Sequence, residues 1–211
     1  RAESEPRGAV HYALLTDWTD RDVEQSEADL DLLALARKAI AELNARYPMP
    51  GHSRFHLLHR QRLYSPGEGC WMGWERKRGK LTEFNALLRG DRDTTFLPPD
   101  NPLPTDVRYV MTVDADTRIP REAVTKLVGK MQHPLNRPVA DPETGIVVAG
   151  YGVLQPRVTA SLTTGDEASL FQRIFSANRG LDPYVFTVSD TYQDLFRAGT
   201  FTGKGLYHVD A

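Results

Sequence analysis

Apolar residues come in short blocks along the chain, and their period changes from block to block. Val10 to Thr16 is mostly apolar and runs into Asp17, Asp20 and Asp22, the pattern of a buried strand entering a polar loop. Ser26 followed by Glu27 and Asp29 reads as a helix N-cap with an acidic first turn. Leu32, Leu33, Ala36, Ala39, Ile40 and Leu43 recur at helical spacing, predicting an amphipathic helix that stops before Pro48. Phe55 to Arg60 reads as a second strand. Residues 63–79, rich in Gly and Trp, read as a loop, followed by a helix over about 79–90 that ends at Gly90. Past a proline-rich linker at 98–104, Val107 to Val113 is nearly continuous apolar, β-branched sequence and gives the strongest strand signal. Pro120 suits the first position of a helix reaching about Met131, and Asp141 to Gly145 is a turn before a strand over Ile146 to Leu154. Helices over about 166–178 and 189–198 follow, then the glycine-rich GTFTGKG.

Strands alternating with helices predict an α/β fold with a mainly parallel sheet. In such sheets ligands bind beyond the carboxyl ends of strands, where Asp17, Asp114 and Asp116 fall. The chain has 211 residues with 40% hydrophobic and 26% charged positions, enough to bury a core. With 26 Lys and Arg against 28 Asp and Glu, the net charge of −2 argues against a nucleic-acid-binding module. Cys70 has no second cysteine to pair with, so the core must stand without a disulfide and a reducing compartment is expected. The chain contains no run of 18 apolar residues, and RAESEPRG is not a signal peptide.

The chemistry centres on Asp114-Ala115-Asp116. Two carboxylates separated by one small residue at a strand end form an oxygen site suited to Mg²⁺ or Mn²⁺, which keeps waters and takes phosphate oxygens. Such an ion would neutralise charge on a leaving diphosphate; the structural alternative is an acidic cap on the 120–131 helix. Arg76, Lys77, Arg78 and Lys80 form either a solvated basic face or, with Gly79 and a helix start, a phosphate contact led by Lys80 and Arg78. A carboxylate at Asp17 would accept the imide N–H of a uracil ring with Trp18 near the base; the plainer reading is a loop acid capping backbone. GTFTGKG lacks the spacing and the hydroxyl of a P-loop, and reads as a close-approach backbone segment or a turn. His56 and His59 lie on opposite strand faces and do not share a ligand. Trp71 and Trp74 suit a sugar ring or, more simply, packing onto the domain.

In this order, strand–Asp17, KRGKLTEFN, strand–DADT, YGVLQPRV and GTFTGKG resemble family-2-type glycosyltransferases of GT-A fold. More narrowly, HYALLTDWTD, GCWMGWERKRGKLTEFNALLRG, YVMTVDADTRIPREA, MQHPLNRP, SLFQRIFS, DPYVFTVSDTYQDLF and GTFTGKGLYHVDA resemble the glycosyltransferase domain of bacterial cyclic β-1,2-glucan synthases. The resemblance covers about residues 10–211 and implies a GT-A-like three-layer sandwich with a mainly parallel central sheet, incomplete at both ends. It implies one partial domain, with a nucleotide-binding part over about 10–117 and an acceptor-side part over about 118–211. The implied reaction is inverting transfer from UDP-glucose to a growing β-1,2-glucan. Asp17 would touch the uracil, Arg78 or Lys80 the nucleotide side, Asp114 the ribose and metal, and Asp116 the metal, Mg²⁺ or Mn²⁺. Thr202, Gly203, Lys204 and Gly205 would line the donor-sugar or acceptor side. The general base that inversion requires is expected beyond Ala211, in preference to Asp190, Asp194 or Asp210, which makes this chain a piece inactive alone. Its partners would be UDP-glucose, the glucan and the rest of a membrane synthase at the cytoplasmic face of the bacterial inner membrane, with no nucleic acid. A different class, a catalytically silent nucleotide-sugar or glucan-binding module, shares the donor residues. A sugar-nucleotide pyrophosphorylase fits worst, because no Gly-rich nucleotide loop stands near the N-terminus.

Overall fold

The computed structural model describes residues 10–156, 195 and 203–210. Two compact units emerge, Arg1–Arg108 and Tyr109–Val209, the division falling just past the proline-rich 98–104 segment. Asp114 and Asp116 therefore belong to the second unit, while the resemblance implies a nucleotide-binding part over about 10–117.

In the first unit β1 (Tyr12–Asp17) pairs in parallel with β2 (Phe55–Arg60), in a register that sets Asp17 beside Arg60. Parallel neighbours need a crossover, which α1 (Glu27–Arg46) supplies. Ser26 N–H donates to the Asp29 carboxylate at 2.9 Å, fixing the start of the helix as its sequence predicts. Asn44, near the other end, donates to Phe55 O and accepts from the Arg54 and Phe55 amides, tying the helix to the first residue of β2. Leu33 packs with Trp18 and Leu57, flanked by Ala36, Ile40 and Leu97. The buried stripe is narrower than the apolar pattern, because Leu32 stays exposed.

The stretch read as a loop holds an antiparallel hairpin, β3 (Leu63–Ser65) and β4 (Cys70–Met72), with Gly69 at φ +67° in its turn. Helix α2 (Arg76–Leu88) begins three residues ahead of the predicted start, so Gly79 lies in its first turn. The expected stop holds, with Gly90 left-handed at φ +98°.

The second unit contains β5 (Tyr109–Thr112), α3 (Ala123–Gln132), a 3₁₀ turn at Pro134–Asn136, β6 (Val139–Ala140), β7 (Val147–Ala149), β8 (Val153–Leu154) and β9 (Gly205–His208). Among the described residues Val110, Met131, Leu206 and Val209 are its buried hydrophobic ones. The described residues do not form the mainly parallel sheet that was expected; their sheets are mostly antiparallel. Among the described residues only β1–β2 is parallel; β3–β4, β6–β7 and the three-stranded β5–β9–β8 are antiparallel. Two features account for this. Gly205, the last residue of the glycine-rich motif, opens β9, which lies between β5 and β8; no strand was expected there. The predicted 146–154 strand breaks at Gly150, left-handed at φ +72°, where a Cβ would run into the Arg137 carbonyl. Its halves join different sheets. The mixed α/β class stands, and the described residues form sheets of two or three strands in place of the single, mainly parallel sheet expected of a three-layer sandwich. The helices predicted at 166–178 and 189–198 lie outside the described residues.

Candidate functional site

The parallel register brings the carboxyl ends of β1 and β2 together, and both end on charge. Asp17 accepts from Arg60 Nε at 2.7 Å through Oδ1 and pairs with Lys80 Nζ at 2.7 Å through Oδ2. Arg60 is fully buried and spends its guanidinium in four directions. Besides Asp17, it donates to Glu83 Oε1 at 2.9 Å, Trp74 O at 3.0 Å and Arg76 O at 3.0 Å. Buried charge is tolerated where every donor finds an acceptor. Glu83 completes the network by accepting from the Thr94 hydroxyl and from the amide and hydroxyl of Thr95. Burial pushes the Glu83 carboxyl up, but the hydrogen bonds from Thr95, Arg60 and Thr94 outweigh it and hold the carboxyl below its ordinary value. Gly73 closes the cluster. A Cβ there would sit 3.0 Å from Asp17 Cγ and 3.0 Å from Arg60 Nη2.

Of the sequence-predicted residues in this unit, Asp17 and Lys80 meet and Arg78 does not. Arg78 is 82% exposed and faces Glu75 at 3.8 Å. Trp18 is corrected outright: at 7% exposure it packs with Leu33 and Leu57, meets His59 edge-on at 3.9 Å between ring centroids and lies under the Arg62 guanidinium. It is a core residue and has no face to offer a base. Sequence reasoning missed Arg60 and Glu83. The one available signal was an arginine closing a strand that runs parallel to the Asp17 strand.

His56 and His59 point to opposite faces, as strand alternation predicts: His56 meets His11 at 3.2 Å, while His59 Nδ1 meets the Thr16 hydroxyl at 2.7 Å. Burial pushes the His59 pKa down to about 4; Asp17 opposes this, and Lys80, Arg37 and Arg62 add to it. Burial also lowers His56 and His11.

In the second unit Asp114 O accepts the Thr117 N–H at 3.0 Å, folding DADT into a β-turn directly after β5. Helix α3 starts only at Ala123, so these acids do not cap it. Asp116 is exposed. Asp114 is half-buried, with its Oδ2 3.1 Å from Lys204 Nζ. The antiparallel register explains the meeting, since Thr112 faces Gly205 and Lys204 stands next to Gly205. Gly203 is left-handed at φ +78° and Gly205 is buried, so the backbone here runs close to its neighbours. Thr202 lies outside the described residues, as do Asp190 and Asp194, whereas Asp210 is an exposed acid.

Two carboxylates on one turn are hard oxygen donors, the kind Mg²⁺ or Mn²⁺ takes when water and phosphate complete its shell. Among the described residues no cluster of three or more His, Cys, Asp or Glu could hold an ion by itself. An ion held by these two carboxylates alone would have to complete its shell with water or phosphate oxygens. Likewise, no helix among them is long and apolar enough to cross a membrane.

No protein-family model matches the chain. Over 206 residues, 98% of its length, it is 65% identical to the cyclic beta-(1,2)-glucan synthase NdvB of Rhizobium meliloti (strain 1021). The chain spans only 7% of the length of that protein. Over nearly its whole length, then, this chain is similar to one segment of a cyclic β-1,2-glucan synthase, the family its motifs resemble.

Proposed function

We propose that this chain is a donor-binding part of an inverting glucosyltransferase that builds β-1,2-glucan from UDP-glucose. The observation that carries the reading is the 65% identity to a glucan synthase over 98% of the chain. The arrangement of charge supports it. Asp17 and Lys80 set an acceptor and a donor side by side at a strand end, complementary to the N–H and C=O of a uracil imide edge. Asp116 and Asp114 would hold a divalent ion, which when bound supplies charge neutralisation on the diphosphate. Lys204, already on Asp114, adds a cation for the same anion. Gly203 and Gly205 let the backbone approach the donor closely. The chain's partners in this reading are UDP-glucose, the growing glucan and the remainder of a membrane synthase at the cytoplasmic face of the inner membrane.

Calorimetric titration of UDP and UDP-glucose, with and without Mn²⁺, tests the reading on this chain and on Asp116→Asn. Metal-dependent binding of UDP by the parent chain, lost in the variant, is expected. Tight binding indifferent to metal would overturn the metal assignment, and no binding of UDP under any condition would overturn the donor reading. In a full-length synthase carrying the same substitution, glucan synthesis from UDP-glucose should stop.

A further inference from the structure

We propose that Trp74 is a stacking platform for the planar base of a uridine nucleotide, whose imide edge meets the Asp17–Lys80 pair; this rests on the donor reading above. Trp74 is 47% exposed, yet it is held from several sides. Its carbonyl accepts from the buried Arg60 guanidinium at 3.0 Å. Its six-membered ring lies against Gly79, where a Cβ would stand 2.6 Å from Trp74 Cε3 and would also meet the Trp74 carbonyl oxygen. Only glycine fits there. The next two residues, Glu75 and Arg76, are left-handed at φ +50° and +49°, a conformation that non-glycine residues adopt at a cost. Arg60 also holds the Arg76 carbonyl, so one buried cation clamps the strained turn at both ends. An obligatory glycine thus lies against the half-exposed indole, while two strained residues and a buried arginine fix the main chain that carries it.

The position of that indole gives it a task. Gly73, immediately before it, packs on the Asp17 carboxylate, and Lys80, immediately after Gly79, forms the ion pair with the same carboxylate. In sequence the indole lies between Gly73, where a Cβ would stand 3.0 Å from Asp17 Cγ, and Lys80, which pairs with Asp17. A neutral planar ring that stacks on an aromatic face while its edge offers an N–H next to a C=O matches a platform flanked by a carboxylate and an ammonium. The C–H face of a glucose unit also stacks on indole, but it carries hydroxyls where the adjacent opposite charges ask for a fixed donor beside a fixed acceptor.

The test is calorimetric titration of uridine, UDP, inorganic pyrophosphate and a β-1,2-linked gluco-oligosaccharide on this chain and on Trp74→Ala, Trp74→Phe and Trp74→Leu. Uridine and UDP should bind roughly tenfold more weakly to the Ala variant. Phe should recover most of that loss, Leu should recover little because it restores bulk without a π face, and pyrophosphate should bind all variants alike. Because Phe and Leu both fill the space beside Gly79, their difference remains readable if the Ala variant does not fold. UDP binding equal in all four proteins would overturn the platform and leave the donor reading standing. Loss of oligosaccharide binding with uridine binding unchanged would reassign the indole to the glucan. A parent chain that binds neither uridine nor UDP would overturn the donor reading and the platform with it.

Discussion

At the scale of single residues, the first unit turns on Arg60. Its guanidinium joins two carboxylates and two main-chain carbonyls, so removing it takes a buried cation from all four acceptors and leaves Asp17 only Lys80, and Glu83 only Thr94 and Thr95. Arg60→Ala should lower unfolding stability by about 3–5 kcal/mol in urea titrations, and Arg60→Lys should not rescue it, since one ammonium cannot reach in all these directions. Lys204 poses a different question. Its ammonium neutralises the carboxylate that a divalent ion would use. Lys204→Gln should therefore tighten binding of Mn²⁺ alone by roughly tenfold, read by the loss of free-ion electron paramagnetic resonance signal. Unchanged Mn²⁺ affinity would separate Lys204 from the ion site.

At the scale of elements, α1 sets the geometry of Asp17, because it carries the chain from β1 back to β2. Its first turn depends more on Asp29 than on Ser26. The Asp29 carboxylate accepts from the Ser26 amide and forms a buried pair with Arg62 at 2.8 Å, while Arg62 also holds the Thr19 and Glu24 carbonyls. Asp29→Ala leaves a buried guanidinium without its partner and should cost about 3–5 kcal/mol. Ser26→Ala should cost about 1 kcal/mol or less. Paired chemical denaturation curves check the ratio, and equal losses would reduce Asp29 to an ordinary capping acid. The sequence announces this helix through its cap and its period. The β3–β4 hairpin has no such announcement, since its strands are too short to show an alternation.

At the scale of the whole molecule, the shifted groups of the first unit share one sign. His59, His56 and His11 have lowered pKa values, chiefly through burial, and Glu83 and Asp29 lie below the ordinary carboxyl range through their hydrogen bonds. A group with a lowered folded-state pKa binds fewer protons when folded, so its contribution is present above the unfolded value and disappears as pH falls. The histidine contribution should decline from pH 6.5 downward, reaching pH about 4 for His59. Asp29 and Glu83 should add a second loss below their ordinary values of 3.8 and 4.5. Thermal melts from pH 8 to pH 3 should fall across both windows, and His59→Gln should flatten the upper one. A melting temperature constant between pH 7 and pH 5 would refute the assignment of buried neutral histidines.

The sequence alone determined the strand-end acids, the crossover helix, the left-handed glycine stop and the family resemblance. Each depends on a local period, a cap residue or an ordered set of motifs. Tertiary structure decided which charges meet. It put Arg60 between Asp17 and Glu83, set Lys80 against Asp17 while leaving Arg78 in solvent, and placed Lys204 on Asp114 through an antiparallel strand. It also exchanged the aromatics, burying Trp18 and leaving Trp74 half-exposed. The reason is physical. Burial and ion pairing depend on register between segments far apart in the chain, and a one-residue change of register turns every side chain of a strand to the other face.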